Sequence, residues 1–428
     1  MPPLSFLPST IDATGPALQS SQPVEENSFD EIDAKLESWI NEVTNEETVR
    51  RRIFVDKIKD YFEKKLSQLD LSRFAITTLP PIFDKLIHLK ELDLSFNRLT
   101  SLPTEIGLLT NLEALSRIDN SLFFLPQEIE QLIHLKCLNL SSIQLTSLPP
   151  QIGKLTNLEK LILCSNRLFS LPLEMELLTN LKELNLFSNR LSSVSEIGKL
   201  TNLVELDLFD NQLSSPLSEI ELLTHLKQLR LSCNQLTSLS QKIGQLINLE
   251  KLNLSNNKLP SLSPEIGKLT HLKQLSLFSN QLTFLPSEIG QLTLEELDLS
   301  GNSLTFLPVE IGKLIHLKSL DLSRNSLKLL PSEIGQLTNL KKLHLSNNSL
   351  VSFPAEFGKL IHLEYLALVN IPFSDQVSDF PKELFLLPSR ARVDIASSSL
   401  SQSTIQDLKD IINAPDYVGP RIFFSMPI

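Results

Sequence analysis

Leucines set the rhythm of this chain. The frame L-x-L-x-x-N-x-L recurs along it, as in Leu92-Asp93-Leu94-Ser95-Phe96-Asn97-Arg98-Leu99. Its asparagines run from Asn97 and Asn120 through Asn166 to Asn348 at intervals of 22 or 23 residues, with one step skipped at Ile143. The alternating L-x-L predicts a short strand with leucines inward and the x positions outward. The Asn slot predicts an amide that pairs with backbone groups where the chain turns. A second half follows, typically L-P-x-E-I-G-x-L-x-x-L, as in Leu102-Pro103-Thr104-Glu105-Ile106-Gly107. The Leu-Pro step begins an irregular return, where a missing N–H is tolerated. Extending the frame puts Phe74 and Ile371 in the Asn slot, which gives fourteen turns. A degenerate fifteenth falls at Val393-Asp394-Ile395, with Ser398 in that slot.

A repeat of this length and pattern is a leucine-rich repeat. It predicts an α/β solenoid, a horseshoe of about 15 turns with a parallel sheet on its concave face. Nine of the twelve glycines occupy the E-I-G slot, so that slot is expected to need positive φ or a close backbone approach. Stacked turns bury a continuous core, and the end turns need caps. Ser28-Phe29-Asp30-Glu31 reads as a capping box opening a helix with Ile32, Leu36, Trp39, Ile40 and Val43 on one face. Thr44-Asn45-Glu46-Glu47 reads as opening a second, with Val49, Ile53, Ile58, Phe62 and Leu66 toward the first turn. Ser403-Thr404-Ile405-Gln406 reads as starting a short closing helix that presents Ile405, Leu408 and Ile412. The expected organisation is a disordered segment 1–27, a possible secretion signal, then a helical cap 28–67, a solenoid 68–398 and a closing cap 399–428.

Composition narrows the function classes. With 39 Lys+Arg against 50 Asp+Glu, the net charge of −11 argues against nucleic acid. No apolar run approaches the ~20 residues of a membrane helix. Met1 to Gly15 carries no basic residue ahead of an apolar stretch, so a Sec signal peptide is not expected. Three scattered cysteines fit a reducing compartment rather than a disulfide framework.

The ends of the chain resemble a known family. The stretch from Trp39 to Leu79, with Leu69-Asp70-Leu71-Ser72 and Thr77-Thr78-Leu79-Pro80, resembles the helical cap of IpaH-like bacterial effectors, the secreted "novel E3 ligase" proteins. The segment from Ala414-Pro415-Asp416-Tyr417-Val418-Gly419-Pro420 to Arg421-Ile422-Phe423-Phe424-Ser425-Met426 is similar to the join between repeats and ligase in that family. The resemblance implies a repeat unit that binds a host protein through its concave face. It places the protein in the bacterial cytoplasm before export and in the host cytoplasm after. The family's catalytic domain would follow the closing motif, beyond Ile428, and its nucleophile is a Cys in a C-x-D setting. Cys137-Leu138-Asn139, Cys164-Ser165-Asn166 and Cys233-Asn234-Gln235 do not fit that setting. The repeats themselves are also similar to Ras-pathway scaffold repeats of eukaryotes.

Catalytic chemistry finds little support in the residues. Six histidines recur in one repeat slot, five of them in H-L-K phrases, most of them two turns apart, and read as solvated edge positions rather than ligands around one ion. The three cysteines read as outward, accessible thiols. The column Asp70, Asp93, Asp207, Asp298 and Asp321 has no closed pocket implied around it and reads as a binding or solubility feature. No cofactor, metal site or catalytic constellation is expected.

The concave face carries the functional reading. The residue after the second strand leucine is mostly Ser, as a hydrated surface would be, but Phe187 and Phe209 take that slot on adjacent turns. Ile162 and Cys164 extend this apolar patch by one turn. Glu183, Glu205, Asp207 and Asp210 rim it, Lys160 and Arg230 flank it, and Phe278 stands further along. An aromatic pair with a polar rim is the composition of a protein-binding hot spot. The leading expectation is therefore a monomeric interaction module with a host protein partner, with the substrate-recognition part of a ubiquitin ligase or a Ras-pathway-like scaffold as alternatives. One local conflict stands out. Arg117 occupies a slot that is apolar in the other turns from Leu94 to Leu368, so a strand irregularity or an escape to solvent is expected there.

Overall fold

Each turn of the chain opens with a three-residue strand and returns through a loop that usually holds one 3-10 turn. The computed structural model describes residues 26–43, 46–118, 120, 123–396 and 400–424. Among these residues sixteen strands form one sheet, entirely parallel and in sequence order, from Gln68–Asp70 to Arg421–Phe423. Neighbouring strands keep the repeat register, with Leu161 opposite Leu184 and Leu184 opposite Leu206. The frame leucines point inward, and Leu161, Leu163 and Leu168 are fully buried. Each such leucine contributes roughly 1.5–3 kcal/mol of burial, so the core is one continuous column.

The Asn slot works as the pattern implies. Asn189 Nδ2 donates to Leu163 O (2.9 Å) and Leu186 O (3.0 Å), while its Oδ1 accepts from Leu168 N (3.0 Å). One buried side chain thus satisfies backbone groups on two turns. At the skipped step Ile143 is buried, and Asn166 of the next turn accepts from both Ile143 N (3.2 Å) and Leu145 N (3.0 Å). The glycine slot is explained by close approach rather than by positive φ. A Cβ on Gly335 would stand 2.4 Å from Glu356 O on the next turn. Proline precedes the returning 3-10 turn, as Pro308 does before Val309–Lys313. The turn at Ser195–Ile197 is three residues long instead of five, and after the five-residue turn Ser287–Gln291 the backbone at Leu292 is extended.

Two helices cap the first turn: α1 (Glu26–Asn41) and α2 (Glu46–Lys64). Helix α1 begins two residues before the expected capping box, so Ser28 lies inside it. Ile32, Leu36, Trp39 and Ile40 are buried, while Val43 lies past the helix end and is half-buried. Thr44 and Asn45, expected to open α2, lie outside the described residues. The face of α2 differs from the expected one. Val49, Ile53 and Leu66 are exposed, and the buried set is Arg51, Phe54, Val55, Ile58 and Tyr61. The reason is Arg51. Its guanidinium lies 4.2 Å from the Trp39 ring centroid, donates to Thr78 Oγ1 (2.9 Å) and Trp39 O, and pairs with Glu47 (3.2 Å). Those partners make a buried cation affordable and rotate the helix about it.

The far end also departs from expectation. The closing motif does not stop at a cap: Arg421–Phe423 adds a sixteenth strand, in register with Arg392–Asp394. Between them lies α3 (Gln402–Ile412), whose N-cap is Ser401 rather than Ser403, with Thr404 N–H donating to Ser401 Oγ (3.2 Å). Leu408 is buried, and Ile405 and Ile412 pack partly buried against the core. Segment 1–25 and Ser398, both named above, lie outside the described residues.

Arg117 neither escapes nor turns outward. Its side chain is fully buried. Its Nη2 reaches Ser101 O at 3.4 Å, and Nε and Nη1 have no partner among the described residues. Burial pushes the guanidinium down to about 9.

Candidate functional site on the concave sheet

The Phe187–Phe209 pair is built by register. Glu183–Asn185 and Glu205–Asp207 pair in register, so the residues two places beyond each strand are neighbours. Phe187 N–H donates to Asn185 Oδ1 and Phe209 N–H donates to Asp207 Oδ1, both at 3.0 Å, which fixes each backbone in a tight local turn. The ring centroids lie 5.1 Å apart at 38°. Both side chains are half-buried, so the pair offers one apolar surface rather than two separate rings.

The surrounding charges are mostly engaged with one another. Lys160 pairs with Glu183 (2.7 Å), Arg230 with Asp207 (3.3 Å), and Gln228 Nε2 donates to Glu205 Oε1 (3.1 Å). The Glu183 hydrogen bond holds the Lys160 ammonium above its ordinary value. Ile162 lies in register with Asn185, and Cys164 Sγ reaches Ser141 Oγ at 3.1 Å on the preceding turn. Asp210 is exposed beside the pair. These residues come together around the two rings. Phe278 does not: it stands three turns from Phe209, about 14 Å at strand spacing, and is 37% exposed.

The Asp column serves the backbone. Asp93, Asp298 and Asp321 accept from the N–H two residues on, at 2.8, 3.0 and 2.9 Å, and Asn253 does the same at 3.0 Å. The cysteines are half-buried rather than free outward thiols, and Cys233 sits in the turn at φ 54. Burial pushes the Cys137 thiol up.

Sequence reasoning missed two rows along the edge where strands begin. The H-L-K histidines share their slot with asparagines, and both reach a carbonyl on the preceding turn. His225 Nδ1 meets Thr201 O at 2.9 Å, and Asn157 Nδ2 donates to Ile133 O at 2.8 Å. Two residues on, Lys and Glu alternate: Glu113 pairs with Lys90 (3.1 Å) and Lys136 (2.7 Å), and Glu250 with Lys227 (3.6 Å) and Lys273 (3.2 Å). The two lysines hold Glu113 down to about 2. The two-turn spacing of the histidines was the available signal, since lysine and glutamate alternate with the same period. A groove of about 1060 Å³ runs along this edge from His88 to His225.

Comparison with known proteins settles the class. The leucine-rich repeat region family matches residues 117–216 and 294–412, and shorter leucine-rich repeat families match 224–282 and 88–109. This chain belongs to the leucine-rich-repeat family. A leucine-rich-repeat protein of Leptospira interrogans is similar at 38% identity, over 86% of this chain and 98% of that one, with a TM-score of 0.75. A plant peptide hormone receptor, RGFR1, solved in complex with RGF2, is 29% identical over 79% of this leucine-rich-repeat chain and 64% of its own, with a TM-score of 0.64. The E3 ubiquitin-protein ligase ipaH9.8 of Shigella flexneri is 36% identical over 52 residues. That is 12% of this chain, which spans about a tenth of the length of that relative. Among the described residues of this leucine-rich-repeat chain no helix is long and apolar enough to cross a membrane.

Proposed function

We propose that this leucine-rich-repeat protein is a non-enzymatic binding module that captures a host protein on its concave face, as a monomeric bacterial effector. The observation that carries the reading is the Phe187–Phe209 pair, 5.1 Å apart on a face where most turns place serine. Two half-buried rings bordered mostly by paired charges form an anchor that a partner can cover at little electrostatic cost, with Asp210 left for a cationic group of that partner. About fifteen strand spacings give an arc near ~70 Å, enough for a standard interface. The peptide-bound plant receptor supports the same use of this fold, and the ipaH9.8 match supports the effector reading.

The test is partner capture from host lysate with the intact chain and with a Phe187→Ser/Phe209→Ser variant that still melts cooperatively. A protein retained by the first and lost by the second supports the reading. Equal retention by both moves the interface elsewhere on the sheet.

The second reading is the recognition part of a ubiquitin ligase, favoured by the 52-residue match alone. The Leptospira leucine-rich-repeat protein is similar over 98% of its solved chain, which supports the repeat-protein reading without bearing on a ligase. Sequencing the gene past Ile428 decides between them: a following domain with a C-x-D cysteine overturns the adaptor reading.

A further inference from the structure

The repeat supplies its own control, because each slot shows what the fold needs there. Two residues after the leucine that follows the Asn slot, many turns carry serine, as at Ser101, Ser147, Ser170, Ser238 and Ser261. On three consecutive turns this slot holds Phe284, Phe306 and Leu329 instead, and they are 44%, 56% and 56% exposed. Val351 continues the apolar run on the fourth turn, one residue earlier in the frame. The fold does not require apolar groups here. They stand on the loop side where strands end, away from the Phe187–Phe209 pair.

A second row accompanies the first. Glu288, Glu310 and Glu333 follow four residues later on the same three turns. Their Cβ atoms cover Gly267, Gly290 and Gly312 of the preceding turns, so the carboxylates form a continuous line. In the same slot on other turns Glu265 pairs with Lys268, while Glu105, Glu128 and Glu356 are in no salt bridge among the described residues, so the glutamate is a feature of the repeat and the apolar row beside it is what these three turns add. No cation pairs with Glu288, Glu310 or Glu333 among the described residues. Lys328 stands beside Leu329 and partly offsets the row.

We infer that this ridge docks an amphipathic, basic α-helix of a protein partner. Spacing selects the helix. Turns repeat at about 4.8 Å, so three slots span about 10 Å. Helical positions i, i+3/i+4 and i+7 rise through about 10.5 Å, and their apolar side chains meet all three slots. An extended segment presents same-face side chains every ~6.7 Å and falls out of step. Charge selects the flank, since a helix with Lys or Arg beside its apolar stripe faces the three unpaired glutamates.

The probe is a synthetic helical peptide with Leu at i, i+3, i+4 and i+7 and Lys elsewhere, titrated by fluorescence anisotropy against the intact chain. Three comparisons accompany it: the same helix with Glu for Lys, an alternating Leu/Lys strand-forming peptide, and vesicles of anionic and neutral lipid. The expected result is saturable binding of the Lys helix, about tenfold weaker to a Phe284→Ser/Phe306→Ser/Leu329→Ser variant. Serine in the same slot of other turns makes that variant compatible with folding. A Glu288→Gln/Glu310→Gln/Glu333→Gln variant, which leaves the apolar row intact, should weaken binding and flatten its salt dependence. A Phe187→Ser/Phe209→Ser variant should bind unchanged, which separates this ridge from the concave anchor. Unchanged binding to the triple serine variant overturns the inference. So does tighter binding of the Glu helix or the strand-forming peptide, or vesicle binding that the ridge residues control while the peptide does not bind.

Discussion

The ring of Phe278 lies against the backbone of Gly301 on the next turn: a Cβ there would sit 3.4 Å from Phe278 Cε2. Gly301 has φ +63, and its slot is left-handed in other turns too, as at Asn256 (φ 53) and Asn347 (φ 57). Two demands therefore meet at one glycine, a left-handed backbone and room beside an aromatic ring. Asparagine meets the first and fits the second, since 3.4 Å is ordinary contact distance. Gly301→Asn is expected to be nearly neutral, whereas Gly301→Val should cost about 1–2 kcal/mol through left-handed strain. Urea midpoints of the two variants check this, and equal midpoints would remove the strain argument.

Arg117 is the clearest internal cost. The same slot holds fully buried Leu94, Leu140 and Leu163 on neighbouring turns, while Arg117 leaves two nitrogens without partners among the described residues. Arg117→Leu should stabilise the chain by roughly 1–4 kcal/mol. The pH dependence has a definite sign. Burial lowers the folded value to about 9, well below that of the unfolded chain, so the unfolded state binds more protons between them. Stability therefore rises with pH through that window, and the cost is full below about 9. The advantage of Arg117→Leu over the natural chain should shrink as urea midpoints are taken from pH 8 to pH 10.5. A constant advantage would place the cost in packing instead of charge.

Glu113 has the opposite dependence. Lys136 and Lys90 hold its carboxyl down to about 2, below the ordinary 4.5. The stability it contributes is present above about 4.5 and disappears as pH falls through about 2. Glu113→Gln should lower the urea midpoint slightly at pH 7 in low salt, and the difference should vanish at pH 2. High salt should erase it at pH 7 as well, because the ladder is exposed.

The skipped asparagine predicts an unequal ladder. Asn166 accepts from Ile143 N as well as Leu145 N, whereas Asn234 accepts from Leu213 N. Asn166→Ala should therefore cost about 1 kcal/mol more than Asn234→Ala, the cost of one further orphaned backbone donor. Paired urea melts measure the difference, and equal costs would show that Ile143 N–H finds another partner.

The Phe187–Phe209 contact should appear as a coupling. Each single serine variant loses the same ring pair, so the double variant should cost less than the sum by about 0.5–1.5 kcal/mol. A double-mutant cycle in urea reads this without any partner present. Additive costs would mean that the rings pack on their strands and not on each other.

Much of this molecule was legible as a string. The strand at Leu184, the amide at Asn189 and the glycine at Gly335 follow from their slots, because each slot repeats the same local geometry and the same vertical neighbour. Phe187 and Phe209 could be placed side by side for that reason alone. What stacks above a residue in a solenoid is the same slot one period later, so sequence period becomes spatial contact.

The departures share a different cause. Helix α2 carries Arg51 inward because Trp39, Glu47 and Thr78 surround it, and Trp39 and Thr78 belong to other elements. The sixteenth strand forms because Arg421–Phe423 finds the open edge of Arg392–Asp394, although its sequence lacks the frame. Arg117 stays inside because the solenoid on both sides holds its strand in register. Periodicity by itself determined which way each repeated residue faces, a local property of strand and turn. Only the tertiary structure decided where irregular residues go, because the free energy of a buried charge or an unpaired edge depends on groups distant in the chain.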